Sequence, residues 1–225
     1  MIGSLLLLGL ALGLKHALEA DHLSTVATLA SSSASTRHSL SVATAWGLGH
    51  AASLVLLGTG LVALGTVLPP AVARAFEVAI GVILIGLAVD VLRRLRKRHV
   101  HLHVHQHGGK RHLHAHAHGH AHEAEHHHDH AAPLWRRSLV IGGVHGLAGS
   151  AAVTVLALPA GSFLRAFAYL FVFGAGTVLG MVALTLVISL PLRFSAGQGE
   201  RAWTVAQCAL SAVDLALGVW IVVQS

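Results

Sequence analysis

Apolar residues run along the chain in six long segments that alternate with shorter polar ones. The segments cover roughly residues 3–30, 39–66, 74–93, 137–158, 165–190 and 202–223. As a helix, each is long enough to cross the hydrocarbon core of a bilayer, which is about 30 Å thick and takes about 20 residues. The pattern therefore predicts an all-α integral membrane protein with six transmembrane helices.

The separators divide this pattern into two halves. Pro69 and Pro70 stop a helix between the second and third segments. The longest separator is hydrophilic and has three apolar segments on either side. We therefore predict a first three-helix membrane half over 1–93, a loop over 94–136 and a second three-helix membrane half over 137–225. The opening stretch "MIGSLLLLGLALGL" lacks a basic start and a clear cleavage site, so we expect it to begin the first span.

The composition agrees with a membrane protein. The chain is 54% hydrophobic and 11% charged, with a mean hydropathy of +0.70, whereas a soluble domain has about a quarter charged residues. The net charge of +6 does not indicate a nucleic-acid partner, because basic residues of membrane proteins mark cytoplasmic loops. A single cysteine, Cys208, excludes an intrachain disulfide and a paired-thiol redox centre.

Basic residues also predict the orientation. If the central loop is cytoplasmic, Arg37, Arg193 and Arg201 join its basic residues on that side, while Arg74 and Arg165 lie on the other. This positive-inside bias predicts a cytoplasmic loop and both termini outside. The expected location is a bacterial-type inner membrane.

Weak internal similarity links the two halves. "KHALEADHLSTVATLA" aligns with "VHGLAGSAAVTVLALP" so that His16 matches His145, and "WGLGH" (46–50) aligns with "FGAGT" (173–177). Because three spans precede the loop and three follow it, the halves must have opposite topology. The pattern predicts a 3+3 inverted repeat, which in secondary transporters places the substrate site near mid-membrane between the repeats.

Ionisable residues occupy the middle of several predicted spans. The predicted metal site consists of His16, Glu19, Asp21 and His22 in the first span, His50 in the second and His145 at the start of the fourth. Ionisable groups at bilayer depth are costly and indicate a functional site. Imidazoles mixed with carboxylates suit Ni²⁺, Co²⁺, Zn²⁺ or Mn²⁺, whereas Ca²⁺ and Mg²⁺ prefer oxygen donors only.

Further polar residues are secondary candidates. Glu77 lies in the third span and Thr25 follows the first cluster, while Lys15 is a counter-charge to Glu19 or a gate. Asp90 and Asp214 also lie within predicted spans, and Asp90 is close enough to pair with a basic residue at the loop.

A regular helix cannot direct the whole first cluster to one point. At about 100° per residue, His16, Glu19 and His22 fall within about 120° of one another, but Asp21 points about 100° away from His22. Two alternatives remain. Either Asp21 stands behind the ligands and orients an imidazole, or the helix is broken.

The central loop carries 15 of the 20 histidines. These are His99, His101, His103, His105, His107, His112, His114, His116, His118, His120, His122, His126, His127, His128 and His130. The composition cannot build a core, so we expect a disordered segment that buffers metal ions through interchangeable ligands. It would buffer arriving ions, deliver them to export or sense their level, or it would be a solvated linker.

Three motifs resemble the nickel/cobalt transporter family. "HALEADH" (16–22) is an H-x4-D-H pattern, "ATAWGLGHAASLVLLG" (43–58) resembles the family's second span, and "VHGLAGSAAV" (144–153) resembles the opening of its second half. The chain is most similar to the small six-span branch of nickel transport and urease-accessory membrane proteins. This resemblance implies an ion- or proton-coupled transporter of Ni²⁺ or Co²⁺, with His16, Asp21 and His22 in the metal path and His50 nearby.

The predicted function is uptake of Ni²⁺ or Co²⁺ by a secondary transporter. The chain has no G-x4-G-K-[ST] motif for ATP hydrolysis, and "HALEADH" is not the H-E-x-x-H of a metalloprotease, so we expect neither an enzyme nor a cofactor. Efflux of Ni²⁺, Co²⁺ or Zn²⁺ collected by the loop is one alternative. A non-transporting metal-handling partner in urease or hydrogenase maturation is another. The expected partners are the metal ion and the lipid bilayer, with a coupling proton and a homo-oligomer as candidates and no nucleic acid.

Overall fold

A computed structural model of the chain describes residues 2–31, 36–97, 101–107, 110–116, 134–197 and 199–225. The helices are α1 Ile2–His16, α2 Ala20–Ser31, α3 Thr36–Ala63, α4 Pro70–Lys97, α5 Leu134–Ala157, α6 Phe163–Gly197 and α7 Glu200–Gln224. Two strands, β1 His101–His107 and β2 Lys110–His116, lie between α4 and α5, and a short 3-10 helix, Leu158–Ala160, follows α5.

The helices follow the apolar segments of the sequence. Helices α3 to α7 are each long and apolar enough to cross a membrane. Helices α1 and α2 pass the same test together, as a pair bent by 60° at a short break. The described part of the chain thus has five helices of spanning length, or six if the bent pair is one span.

The break between α1 and α2 answers one question that the sequence left open. The backbone amides of Leu18 and Glu19 donate to carbonyl oxygens three residues back, at 2.9 and 3.1 Å, and the α-helix resumes at Ala20. This tightened turn changes the direction of the chain between His16 and Asp21. The apolar segment that the sequence predicts as the first span is therefore broken at the H-x4-D-H motif.

Two helices are longer than the apolar pattern indicated. Helix α4 continues through the basic residues to Lys97, because Lys and Arg are good helix formers. Helix α6 continues past Pro191 to Gly197, where the sequence predicted a polar separator. A proline removes one backbone donor and weakens a helix, but here the helical backbone carries on beyond it.

The expectation that the whole histidine-rich loop lacks regular structure is wrong for residues 101–107 and 110–116. These residues form an antiparallel pair of strands in which His103 lies opposite His114 and His105 opposite His112. The physical reason is the alternation of histidine with other residues, a period of two, on either side of a Gly-Gly dipeptide that favours hairpins. The other loop histidines, His99, His118, His120, His122, His126, His127, His128 and His130, lie outside the described residues.

Helix α3 is the centre of the bundle. It packs against α5 and α6, while α1 lies along α6 and α4 lies along α7. Glycines allow the closest approaches: a Cβ on Gly49 would overlap the backbone carbonyl of Leu139, and one on Gly142 would overlap that of Trp46. Small residues at such positions let helix backbones approach closely in membranes.

Two clusters of buried apolar side chains lie on either side of the polar cluster. One joins Tyr169, Leu170 and Phe173 of α6 to Leu54 of α3. The other joins Trp46, Ala17, Val26 and Met181. The outer surface also carries large apolar side chains, as expected of helices that face lipid. Examples are Leu7, Leu56, Leu164 and Val223.

Candidate metal site

Three buried histidines converge at the break in the first span. His16 is the last residue of α1, His22 lies in the first turn of α2, and His50 lies in the middle of α3. One ring nitrogen from each lies within 4.8 Å of the other two. The Nε2 atoms of His16 and His50 are 3.3 Å apart, and His22 and His50 are at most 1% exposed.

Two carboxylates hold two of these rings from behind. Glu19 Oε2 accepts a hydrogen bond from His16 Nδ1 at 3.0 Å, and Asp21 Oδ1 accepts one from His22 Nδ1 at 2.9 Å. A proton on Nδ1 leaves the Nε2 lone pair of each ring free for a metal ion. His22 Nε2 is buried and has no hydrogen-bond partner among the described residues.

Asp21 also connects the first span to the second half of the chain. Its Oδ2 accepts a hydrogen bond from Nε2 of His145 in α5 at 2.8 Å, and its Oδ1 accepts the backbone N–H of His22 at 2.9 Å. Asp21, His22 and His145 form a second group of potential ligand atoms within 4.8 Å of one another. The two groups share His22.

The spacing of the imidazoles fits one divalent ion. Two nitrogens bound to a tetrahedral ion at about 2.0–2.1 Å would lie about 3.4 Å apart. The observed distance between His16 Nε2 and His50 Nε2 is 3.3 Å. Glu19 and Asp21 together would offset the two positive charges of the ion, which lowers the cost of holding it at bilayer depth.

Aromatic side chains form the apolar walls of the site. The indole ring of Trp46 lies 5.5 Å from the His22 ring and 5.3 Å from the His145 ring, and Phe173 lies 5.4 Å from His16. These rings restrict rotation of the imidazoles. Neither Trp46 nor Phe173 was among the predicted site residues. Trp46 lies in "WGLGH" and Phe173 in "FGAGT", the two stretches that align when the halves of the sequence are compared.

A cavity of about 360 Å³ gives access to the site from one end of the bundle. Its walls include His16, Glu19, Asp21, His22 and His145. Its lining also includes Glu77 near the start of α4 and four residues at the end of α7: Trp220, Ile221, Gln224 and Ser225. The cavity therefore lies at the end of the bundle where α7 and the described chain end.

The chain is 31% identical over 194 residues to urease accessory protein UreH from Bacillus sp. (strain TB-90), a match that covers 86% of this chain and 79% of that protein. The chain belongs to the UreH family of urease accessory proteins. This confirms the predicted resemblance to the urease-accessory branch of the nickel/cobalt transporter family. Together with the apolar helices, it makes the chain an integral membrane protein.

Two other comparisons found nothing. No family model matches the chain, and no solved structure matches it.

The secondary candidates of the sequence have different surroundings in this member of the UreH family. Glu77 lines the cavity, as described above. Lys15 is exposed, and the ion pair found for Glu19 among the described residues is with His16 rather than Lys15. Thr25 is fully buried, and its hydroxyl has no hydrogen-bond partner in the described part of the chain.

Sequence reasoning did not foresee the surroundings of Asp214. This residue of α7 is fully buried, and its carboxylate accepts hydrogen bonds from the hydroxyls of Ser24 and Thr28 in α2. Ser24 and Thr28 are four residues apart, so they lie on one face of a helix. The spacing of Ser24 and Thr28 could have indicated a shared hydrogen-bond partner. The sequence did not show that this partner would come from α7.

Proposed function

We propose that the chain is a secondary transporter that carries Ni²⁺ or Co²⁺ into the cell through a site formed by His16, His22 and His50. The observation that carries this proposal is the convergence of three imidazole nitrogens within 4.8 Å at a break in a membrane-spanning segment. Neutral nitrogen donors favour late first-row divalent ions, with Zn²⁺ as a competitor. The name of the relative, a urease accessory protein, fits a role in metal supply.

Each site residue has a distinct role in this proposal. His16, His22 and His50 bind the ion through Nε2, while Glu19 and Asp21 hold the His16 and His22 rings in the required tautomer. His145, on the other side of Asp21, completes the second group through which the ion leaves or enters. The ion is cargo that is bound and released unchanged, so the proposal involves neither a catalytic step nor a cofactor.

The position of the cavity supports uptake rather than efflux. The cavity that reaches the histidines lies at the end of the bundle where α7 ends, away from the loop between α4 and α5. The positive-inside bias puts that loop in the cytoplasm of a bacterial-type inner membrane. The site would then face the outside, where an importer receives its ion.

The packing supports a 3+3 inverted repeat that spans the membrane six times. A Cβ on Gly13 of α1 would overlap the carbonyl of Phe173 of α6, just as one on Gly142 of α5 would overlap that of Trp46 of α3. The sequence alignment of the two halves pairs Phe173 with Trp46 and, by extension, Gly13 with Gly142. The same contact thus occurs twice, with the roles of the two halves exchanged.

Other close approaches follow the same rule. Gly49 of α3 faces the backbone of Leu139, and its counterpart Gly176 of α6 faces the backbone of Leu10. In the third pair of helices, Gly81 of α4 and Gly218 of α7 face each other's carbonyl oxygens. Such an arrangement suits alternating access, in which one repeat moves against the other around a site between them.

Uptake of Ni²⁺ by proteoliposomes tests the proposal. We expect wild-type protein to move Ni²⁺, His22→Ala to lose this transport, and His38→Ala to retain it. His38 is a matched control because it is an exposed histidine of α3 outside the site. Wild-type protein that binds Ni²⁺ tightly but moves none would instead be a non-transporting metal-handling partner. Full activity of His22→Ala would refute the proposed site.

A further inference from the structure

Helix α2 is tied to α7 by a single buried carboxylate. Both oxygens of Asp214 are used, one by the hydroxyl of Ser24 and the other by the hydroxyl of Thr28. Asp214 and its two partners are each at most 5% exposed. His22 of the proposed metal site lies in the first turn of α2, and this tie lies in the turns that follow.

The tie separates two cavities that share no lining residue. The cavity at the metal site reaches Asp21 and His22 on α2, whereas a second cavity of about 200 Å³ reaches Thr28 and Leu29. The distance along the helix from His22 to Thr28 is six residues, about 9 Å. The second cavity is lined by residues at the loop ends of α4 and α5, including Asp90, Arg94, Leu134 and Arg137.

Charged or titratable residues lie on every helix that packs against α7, but among the described residues none forms an ion pair with Asp214. On α2, Asp21 is bound to His22 and His145. On α4, Glu77 lines the metal-site cavity, and Asp90 and Arg94 pair with each other at the second one. On α6, Arg165 is exposed near the start of the helix, and Arg201 is exposed at the start of α7.

An ionised Asp214 therefore depends on two hydroxyl donors at bilayer depth. A carboxylate in such surroundings is costly, and binding a proton removes its charge. A neutral carboxyl group accepts hydrogen bonds less strongly than a carboxylate, since charge-assisted bonds are about twice as strong. Protonation would thus loosen α2 from α7 and open the way between the two cavities.

We propose that Asp214 is the proton-binding residue that couples metal movement to a proton gradient, acting on α2 through Ser24 and Thr28. This inference rests on the proposed function as a secondary transporter. Because α2 carries both His22 and these two hydroxyl groups, the release of α2 from α7 and the release of the metal ion involve the same short helix. One proton would enter from the outer side and bind to Asp214. It would then be released to the second cavity, at the loop ends of α4 and α5.

The test compares two assays on the full-length protein in proteoliposomes with Ni²⁺ as the probe. The first is Ni²⁺ accumulation driven by a pH gradient, acidic on the outer side. The second is Ni²⁺/Ni²⁺ exchange at equal pH, which needs the metal site but no net proton movement. We expect Asp214→Asn to lose gradient-driven accumulation by about tenfold, within the range of coupling between two sites, and to retain exchange. Glu200→Gln, the same change of an acid to its amide at the start of α7, is the matched control because this position lines neither cavity, and it should behave as wild type.

The two proposals fail differently. Wild-type protein that shows neither accumulation nor exchange would refute the transporter itself and the coupling with it. Exchange in the wild type with gradient-driven accumulation undiminished in Asp214→Asn would refute only the role of Asp214. Accumulation in response to a Na⁺ gradient but not to a pH gradient would refute the proton as its ligand.

A second variant covers the case in which Asp214→Asn does not fold. The double substitution Ser24→Ala with Thr28→Val keeps the carboxyl group but removes both donors. Because Asp214 would act on α2 through these two donors, gradient-driven accumulation should fall as in Asp214→Asn while Ni²⁺/Ni²⁺ exchange is retained. Gradient-driven accumulation at the wild-type level in this variant would overturn the proposal.

Discussion

The two halves of the molecule use the same packing but carry different chemistry. Gly13 and Gly142 make equivalent backbone contacts, and His16 has a counterpart in His145. Yet His50 is replaced by Thr177 in the second half, and Asp21 by Ser150. These contacts fit the proposed inverted repeat, in which most of the proposed metal ligands come from the first half.

The difference extends to the backbone. Helix α5 runs without interruption from Leu134 to Ala157 although it contains Gly146 and Gly149. The equivalent stretch of the first half contains no glycine at residues 17–19 and is broken there. Local helix propensity would predict the opposite. The break is thus associated with the side-chain bonds of the polar cluster, which the second half lacks.

The largest effect should come from filling equivalent close approaches in both halves. Gly49→Leu and Gly176→Leu each force a side chain into the backbone of a neighbouring helix, at Leu139 and Leu10 respectively. Overpacking of this kind typically costs about 1–3 kcal/mol, and a clash with backbone lies at the upper end. We expect both variants to lose most folded protein, measured as the monodisperse fraction and the thermal stability in detergent.

Gly86→Leu is the control for this pair, because a Cβ at Gly86 has no other atom within 4 Å. It should leave the yield and the stability unchanged. If only one of Gly49→Leu and Gly176→Leu destabilised the protein, the packing of the two halves would not be equivalent.

The next effect contrasts the matched histidines. His16 contributes a nitrogen to the three-histidine group, while His145 binds Asp21 from the opposite side. We expect His16→Ala to weaken Ni²⁺ binding by more than about 100-fold and His145→Ala by about tenfold, as for residues that position a ligand. Isothermal titration calorimetry of the purified variants measures both. Equal losses would place His145 among the direct ligands.

A smaller contrast concerns the residues behind the ligands. Asp21→Asn keeps the shape of the side chain but removes the negative charge that holds the proton on Nδ1 of His22. The Ni²⁺ affinity should therefore fall by about 10–100-fold. Its counterpart Ser150 bonds a backbone carbonyl of its own helix, and Ser150→Ala should leave the affinity unchanged. Calorimetry again distinguishes them, and a similar loss in both variants would contradict the one-sided site.

Sequence reasoning predicted the residues that the structure brings together better than it predicted how they meet. His16, Asp21, His22 and His50 stood out because ionisable groups at bilayer depth need a reason to be there. The alternation of apolar and polar segments likewise predicted where the helices lie. Both signals are local in the chain or depend on composition, and neither needs a knowledge of which helices touch.

What the sequence did not predict depends on contacts between distant segments. The sequence left the break after His16 as one of two alternatives, because Ala17, Leu18 and Glu19 at the break are all good helix formers. The bond from Ser24 to Asp214 joins residues 190 positions apart. The strands of the loop were not predicted for a different reason: its polar composition favours disorder, although its period-two alternation is typical of strands.

The smallest effect should come from the histidines of the loop between the two halves. Replacing the histidines of residues 99–130 by serine keeps the length of the loop while removing its metal ligands, so it is a better-matched variant than deletion of the segment. We expect the maximal rate of Ni²⁺ uptake to be unchanged and the apparent KM to rise a few-fold, because a ligand-rich loop alters the local concentration of the ion rather than the path through the membrane. Initial rates over a range of Ni²⁺ concentrations measure both quantities. A loop variant that is inactive at saturating Ni²⁺, beside a fully active His22→Ala, would mean that the loop transports the ion and the buried histidines only assist it.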